Sequence, residues 1–229
     1  MLLSTLGERL RGAVQLLVTD RWQAAAASVA SGKRPWTIWI DLAQGRDTIW
    51  DKLEKGWRYG VRRAERTGIV VSPSREDSDV EYFFAMCSAV SRTKAFTLPG
   101  SLPLVKELLC RDGGEVEARL FLARRGVDIG AGALVIRCGR SLHYMWGAVD
   151  RAFSKDCVGE AVQWGAVEWG LANSCLIYDL EGLDPDANAG TTAFKRKMGG
   201  QEVELAGKEY FPFGLRGALA ARVLAARDR

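Results

Sequence analysis

The stretch "LHYMWGAVDRAFSKDCVGEAVQWGAVEWGLANSCLIYDLEG", Leu142–Gly182, changes its hydrophobic period twice. Its start belongs to "RSLHYMWGA", which reads as a strand. A helix follows from about Gly159 to Ala172. "CLIYDLEG" then reads as a short buried strand. Asp179, Glu181, Asp184 and Asp186 fall at or just after its end. Strand ends are where ligand sites form in layered α and β folds. A carboxylate there can take a proton from an attacking amine. Turn chemistry is the plainer explanation, because Asp and Gly favour such loops on their own account.

Outward from this stretch the chain keeps alternating in type. Upstream, "ARLFLARR" and "IGAGALVIRC" read as strands joined by a "GVD" turn, and "GR" joins the second to "RSLHYMWGA". Before them stand a short helix, Leu102 to Arg111, a loop "TKAFTLPGS", and a helix from Glu76 to Ser91 with Val80, Phe83, Phe84 and Cys87 inward. "IVVS" starts a strand, and "WTIWIDL" is another. Between them Asp47 to Thr67 shows helical period, with Trp50, Leu53, Trp57, Val61 and Ala64 on one stripe. Gly68 suits the cap of that helix. Residues from about Ser4 to Ala30 are Ala-rich and read as helix. Downstream, "TTAFKRKMGG" reads as a loop, "QEVELAGKEYF" as a strand or hairpin, and Arg216 to Arg227 as a closing helix. The order predicts an α+β fold, a mixed and mostly antiparallel sheet flanked by helices. The expected division is an N-terminal helical segment, 1–35, and one larger domain, 36–229.

With 229 residues and 48% hydrophobic content the chain can bury a substantial core. A formal net charge of +4 permits a polyanionic partner without demanding one. The five cysteines are scattered, with no CxxC pair, so no zinc site or disulfide framework is indicated. Free thiols fit a reducing cytoplasm, the expected location. The opening "MLLSTLGERLRGAVQLLV" carries Glu8 and Arg9 within its apolar run and is unlike a signal peptide. No stable membrane insertion is expected.

Four cations, Lys55, Arg58, Arg62 and Arg66, share one helix face beside Arg63. Such a face suits phosphates, and it equally suits solvent. His143 is the lone histidine and reads as a packed residue. "GAGA", Gly130 to Ala133, lies inside a strand with no helix directly after it, so it is not a phosphate loop. Trp164, Trp169 and Tyr178 read as core. Lys195, Arg196 and Lys197 can hold a phosphate or stabilise an oxyanion, or simply form a solvated turn.

Together, "KGWRYGVRRAERTGIVV", "SRTKAF", the Leu142–Gly182 stretch and "AGTTAFKRKMGGQEVELAGKEYF" resemble the Fem family of aminoacyl-tRNA-dependent peptidyl transferases. The resemblance runs from about Trp36 to Phe211 and rests on the order and spacing of these segments. It implies a GNAT-like fold and transfer of an amino acid from charged tRNA to an amino group. The acceptor it implies is a peptidoglycan precursor. Typical members have two GNAT-like domains and this chain has room mainly for the second, so a smaller peptide, as in pacidamycin-type alanyl transfer, fits a reduced member. The family's Phe-Lys pair falls on Phe194 and Lys195. On this reading Lys195 stabilises the oxyanion or holds the terminal phosphate of the tRNA, Phe194 packs against the terminal adenosine or fixes the lysine's direction, and Asp179 or Glu181 receives the amine proton. tRNA would meet Lys55, Arg58, Arg62, Arg63, Arg66, Arg196 and Lys197, with Arg216, Arg222 and Arg227 on the same surface. The acceptor would meet Thr93, Lys94, Phe96, Tyr144 and Trp146. No metal and no bound cofactor is required.

Two other readings remain. An acyl-CoA-dependent N-acyltransferase needs a glycine-rich loop for the pyrophosphate. Gly159 stands alone at that place. A non-catalytic RNA-binding or partner-binding module is the third, and the Phe194-Lys195 pair argues against it.

Overall fold

The computed structural model describes residues 14–19, 29–31, 34–94, 98, 100–111, 113–205, 207–212 and 214–227. In chain order the first elements are β1 (Val14–Thr19), β2 (Val29–Ser31), β3 (Trp36–Asp41), α1 (Arg46–Lys52), α2 (Lys55–Arg66), β4 (Val70–Ser74) and α3 (Asp77–Lys94). Next come α4 (Leu102–Cys110), β5 (Val116–Arg125), β6 (Asp128–Cys138), β7 (Ser141–Val149), α5 (Val158–Ala172) and β8 (Ile177–Asp179). The chain closes with α6 (Ala189–Arg196), β9 (Gln201–Glu204), β10 (Gly207–Pro212) and α7 (Gly214–Arg227).

Two compact units result, Met1–Thr37 with Glu202–Arg229, and Ile38–Gln201. Glu202–Arg229 thus groups with the N-terminal residues rather than with the domain expected at 36–229. In the first unit β10 lies between β1 and β2, antiparallel to both. At 14–19 and 29–30 this corrects the helix expected over Ser4–Ala30; the rest of that span lies outside the described residues. β1 pairs along its whole length, from Val14↔Pro212 to Thr19↔Gly207, and its β-branched Val14, Val18 and Thr19 suit a strand. The strand or hairpin expected over "QEVELAGKEYF" is two strands, β9 and β10, which join different sheets.

The large sheet has the order β4-β5-β6-β7-β8-β3-β9. The pairs β4–β5, β5–β6, β6–β7 and β3–β8 are antiparallel, and β7–β8 is parallel. This is the mixed, mostly antiparallel sheet the sequence predicts. Its strands alternate between two cores. Phe121, Ala123, Ala131, Ala133 and Val135 face a cluster with Trp57, Val61, Trp164 and Tyr178. Leu120, Leu122 and Leu134 face the other, with Val80, Phe83, Val105 and Leu109. Each fully buried Val, Leu or Phe among these contributes about 1.5–3 kcal/mol.

Three local features position the site. First, β7 and β8 pair only at Ser141↔Ile177, Leu142↔Tyr178 and His143↔Asp179. Beyond that, β7 continues to Val149 while the chain after Asp179 turns away, so the sheet splits. A register shift against β6 at Leu134/Val135 leaves Met145 as a bulge within the split. Second, the helix expected from Asp47 to Thr67 is two helices. Leu53 is extended (φ −61°, ψ 140°) yet buried, and the Glu54 N–H donates to the Lys197 carbonyl at 3.0 Å. The apolar stripe keeps its phase across the break, which is why period alone misses it. Third, "GAGA" lies inside β6 because side chains there would collide with packed rings. A Cβ on Gly132 would strike the Phe83 ring, and one on Gly130 would come to 2.7 Å of Phe153.

Candidate active site

The split between β7 and β8 opens two adjoining cavities. One, of about 400 Å³, is lined by Trp146, Glu181, Gly182, Asp184 and Lys195. The other, of about 440 Å³, is lined by Phe153, Phe194 and the start of α5 at Val158–Glu160. Val90, Tyr144, Gly147 and Thr191 line both, so the cavities meet there. A further cavity of about 520 Å³ beside Lys52 and Gly199–Gln201 contains neither Lys195 nor Glu181.

"TTAFKRKMGG", expected as a loop, is mostly helical. α6 runs to Arg196, and Lys195 lies in its last turn. Threonine and glycine content hides this helix, and its tertiary ties hold it. The Lys195 Nζ donates to the Glu181 carbonyl at 2.6 Å and the Gly182 carbonyl at 2.8 Å. Only 7% of the residue is exposed. Burial lowers the Lys195 pKa to about 8, and the nearby Glu181 and Asp179 carboxylates offset this only in part. Nζ also stands 5.8 Å from the centre of the Tyr144 ring. Phe194 faces the other way, into the second cavity, with its ring 5.8 Å from that of Trp57. The pair therefore straddles the two cavities.

Asp179 is buried, and its Oδ2 accepts from Trp39 Nε1 at 2.8 Å. Its Oδ1 accepts the Glu181 N–H at 2.8 Å. That bond holds Glu181 at φ +55°, a left-handed conformation that side-chain-bearing residues seldom adopt. Glu181 Oε1 lies 2.6 Å from His143 Nδ1. His143 and Trp39 are the residues that sequence reading misses. The signal for His143 is its register opposite Asp179, which only the parallel pairing supplies. His143, Asp179 and Glu181 offer ligand atoms within 4.8 Å of one another and are the described residues able to hold a cation. Here N–H groups of Trp39 and Glu181 already meet the Asp179 oxygens.

The expected tRNA face divides. Arg58 donates to the Trp50 carbonyl at 3.3 Å and the Asp51 carbonyl at 2.7 Å, closing the end of α1. Arg63 Nε donates to the Lys155 carbonyl at 3.1 Å. Both are half-buried. Lys55, Arg62, Arg66, Arg196 and Lys197 are exposed, with Arg62 over the Trp50 ring and Arg66 over the Tyr59 ring.

Among the expected acceptor residues, Tyr144 and Trp146 line the Lys195 cavity. Thr93 is exposed, bonds the Ala89 carbonyl at 2.9 Å, and lines a neighbouring groove with Val90 and Val149. Phe96 lies outside the described residues, as does the side chain of Lys94.

The acetyltransferase (GNAT) domain family pattern matches residues 51–196. Among solved structures, FemX is similar with a TM-score of 0.69 and 16% identity, over 97% of this chain and 69% of that one. The C-terminal domain of a chain assigned as a lysylphosphatidylglycerol synthetase, from Agrobacterium fabrum, gives 0.55 and 16%, over 88% and 66%. L-PGS from Bacillus licheniformis gives 0.55 and 11%, over 94% and 66%. At these identities the likeness concerns the fold, which is GNAT-like. No curated protein matches.

Proposed function

This chain belongs to the acetyltransferase (GNAT) domain family, and from that premise we propose that it transfers an aminoacyl group from aminoacyl-tRNA to the amino group of a peptide acceptor. The acceptor is a small peptide, such as a peptidyl nucleoside antibiotic intermediate, or a peptidoglycan precursor. The observation that carries the reading is the buried Lys195 ammonium lining one of two adjoining cavities, with Phe194 lining the other. One cavity takes the ester donor and the other the amine.

The reaction needs little covalent help, because the ester is already activated. The amine attacks the ester carbonyl, a C–N bond forms, and the oxygen gains negative charge. Lys195 has three N–H donors, of which two go to the Glu181 and Gly182 carbonyls. The third is available for the oxyanion. The C–O bond to the tRNA ribose then breaks, and that oxygen takes up a proton. The amine's proton passes to the Glu181 carboxylate, which His143 holds from the other side, and from there to the leaving ribose oxygen. The exposed cations Lys55, Arg62, Arg66, Arg196 and Lys197 meet tRNA phosphates.

An acyl-CoA donor is the second reading, since the start of α5, Val158–Glu160, lines the cavity that Phe194 enters. Against it, the segment between β7 and α5 has a 3₁₀ turn at Arg151–Phe153 and no glycine, and Gly159 stands alone in the first turn of α5. The test supplies purified protein with tRNA charged with labelled amino acids, or with acetyl-CoA, plus peptide acceptors read by mass spectrometry. Product from charged tRNA is expected, with a Lys195→Ala loss of roughly 10²–10³-fold in rate. Product from acetyl-CoA alone, or near-normal transfer by folded Lys195→Ala, sinks the proposal.

A further inference from the structure

Helix α7 shows two different apolar sides. Gly217, Ala221 and Ala225 are buried, and the two alanines pack with Tyr210 of the same unit. On the opposite side Leu215 is 92% exposed, Leu219 68% and Val223 55%. Spaced four apart, they form one line along the helix, which exposed Ala226 extends. Arg216 and Arg222 are exposed as well. At about 100° per residue they stand on the two opposite edges of that line. No Asp or Glu occurs between Glu209 and Asp228. Single exposed leucines are ordinary, but a continuous line bounded by arginines is not scatter.

We propose that this face of α7 docks on an anionic lipid bilayer, lying flat in the headgroup layer. Leu215, Leu219 and Val223 enter the acyl boundary. Arg216 and Arg222 bury their stems beside them and reach anionic headgroups. The charge pattern selects this occupant. A second copy meeting the same face about a two-fold axis would bring arginines against arginines, with no acid on the helix to neutralise them. RNA would satisfy the arginines, which the sequence alone assigns to a tRNA surface, but its phosphates gain nothing from two leucines and a valine. No helix among the described residues is long and apolar enough to cross a membrane, so the contact is peripheral.

The test is co-sedimentation of the full chain with vesicles of phosphatidylglycerol in phosphatidylcholine, and with pure phosphatidylcholine. Two double variants are compared, Leu215→Ser with Leu219→Ser, and Arg216→Gln with Arg222→Gln. All four positions are exposed, and circular dichroism checks that each variant folds. The expected result is binding to the anionic vesicles only, reduced at least about tenfold in either double variant and weakened by salt. Wild-type protein that ignores anionic vesicles overturns the proposal. So does a leucine variant that binds them as well as wild type. It is equally overturned if the leucine variant turns a dimer into a monomer, or loses tRNA affinity, without changing vesicle binding.

Discussion

Replacing Lys195 with methionine leaves an unbranched side chain one atom shorter and removes its titration. Burial lowers the folded-state pKa of Lys195 from 10.5 to about 8. That difference corresponds to about 3 kcal/mol at 1.36 kcal/mol per unit. The sign follows from proton binding. The unfolded chain holds the lysine proton more tightly than the folded one, so below pH 8 the wild type carries the full penalty. As pH rises from 8 to 10.5 the folded state sheds the proton first, and the penalty is relieved. Lys195→Met also leaves the Glu181 and Gly182 carbonyls without their donor, a loss that does not vary with pH. The pH-dependent difference is therefore the cleaner quantity. Urea unfolding of both proteins at pH 7, 8, 9, 10 and 10.5 should show wild type gaining about 3 kcal/mol on the variant across the window. All other groups titrate in both and cancel. Two stability curves that stay parallel from pH 7 to 10.5 refute the reasoning, because the lysine would then be titrating as if in water.

The split basic face predicts that Arg62→Glu with Arg66→Glu lowers tRNA affinity and flattens its salt dependence by roughly one power of salt per lost contact, in filter-binding assays. Arg58→Ala should instead lower stability, by about 1–3 kcal/mol in denaturant melts, because it uncaps α1. Gly132→Ala should destabilise by about 1–3 kcal/mol, since its methyl group meets the Phe83 ring inside a packed core. Burial raises the Cys87 thiol to about 12, so native protein at pH 8 should be alkylated at exposed Cys110 and Cys138 first, and at Cys87 only after unfolding.

Strong local periods made much of this fold readable. The alternation in β5 and β6 marks both cores, and the Val80-Phe83-Cys87 spacing places α3, because both patterns report burial directly. What stayed hidden depends on partners distant in sequence. β1 is a strand because β10 lies beside it. α6 is a helix although its own residues favour a turn. The break at Leu53 leaves no trace, since the buried stripe runs on through it. In the site, Lys195, Asp179 and Glu181 could be singled out from sequence. Their mutual geometry could not, because it depends on a three-residue parallel pairing that also brings His143 opposite Asp179. Arg58 and Arg63 look identical to their exposed neighbours until the carbonyls they bind are known.

Lys195 is held by main-chain oxygens of residues 181 and 182, and not by their side chains. A backbone acceptor cannot be deleted by a codon change. A side chain added at Gly182 can alter the shape of the cavity lining while the lysine keeps its anchor, provided the left-handed turn at 181 survives. If the proposed function holds, variation of acceptor preference can start at Gly182, where an added Cβ meets nothing within 4 Å, with the Glu181 carboxylate and the lysine's anchor both kept.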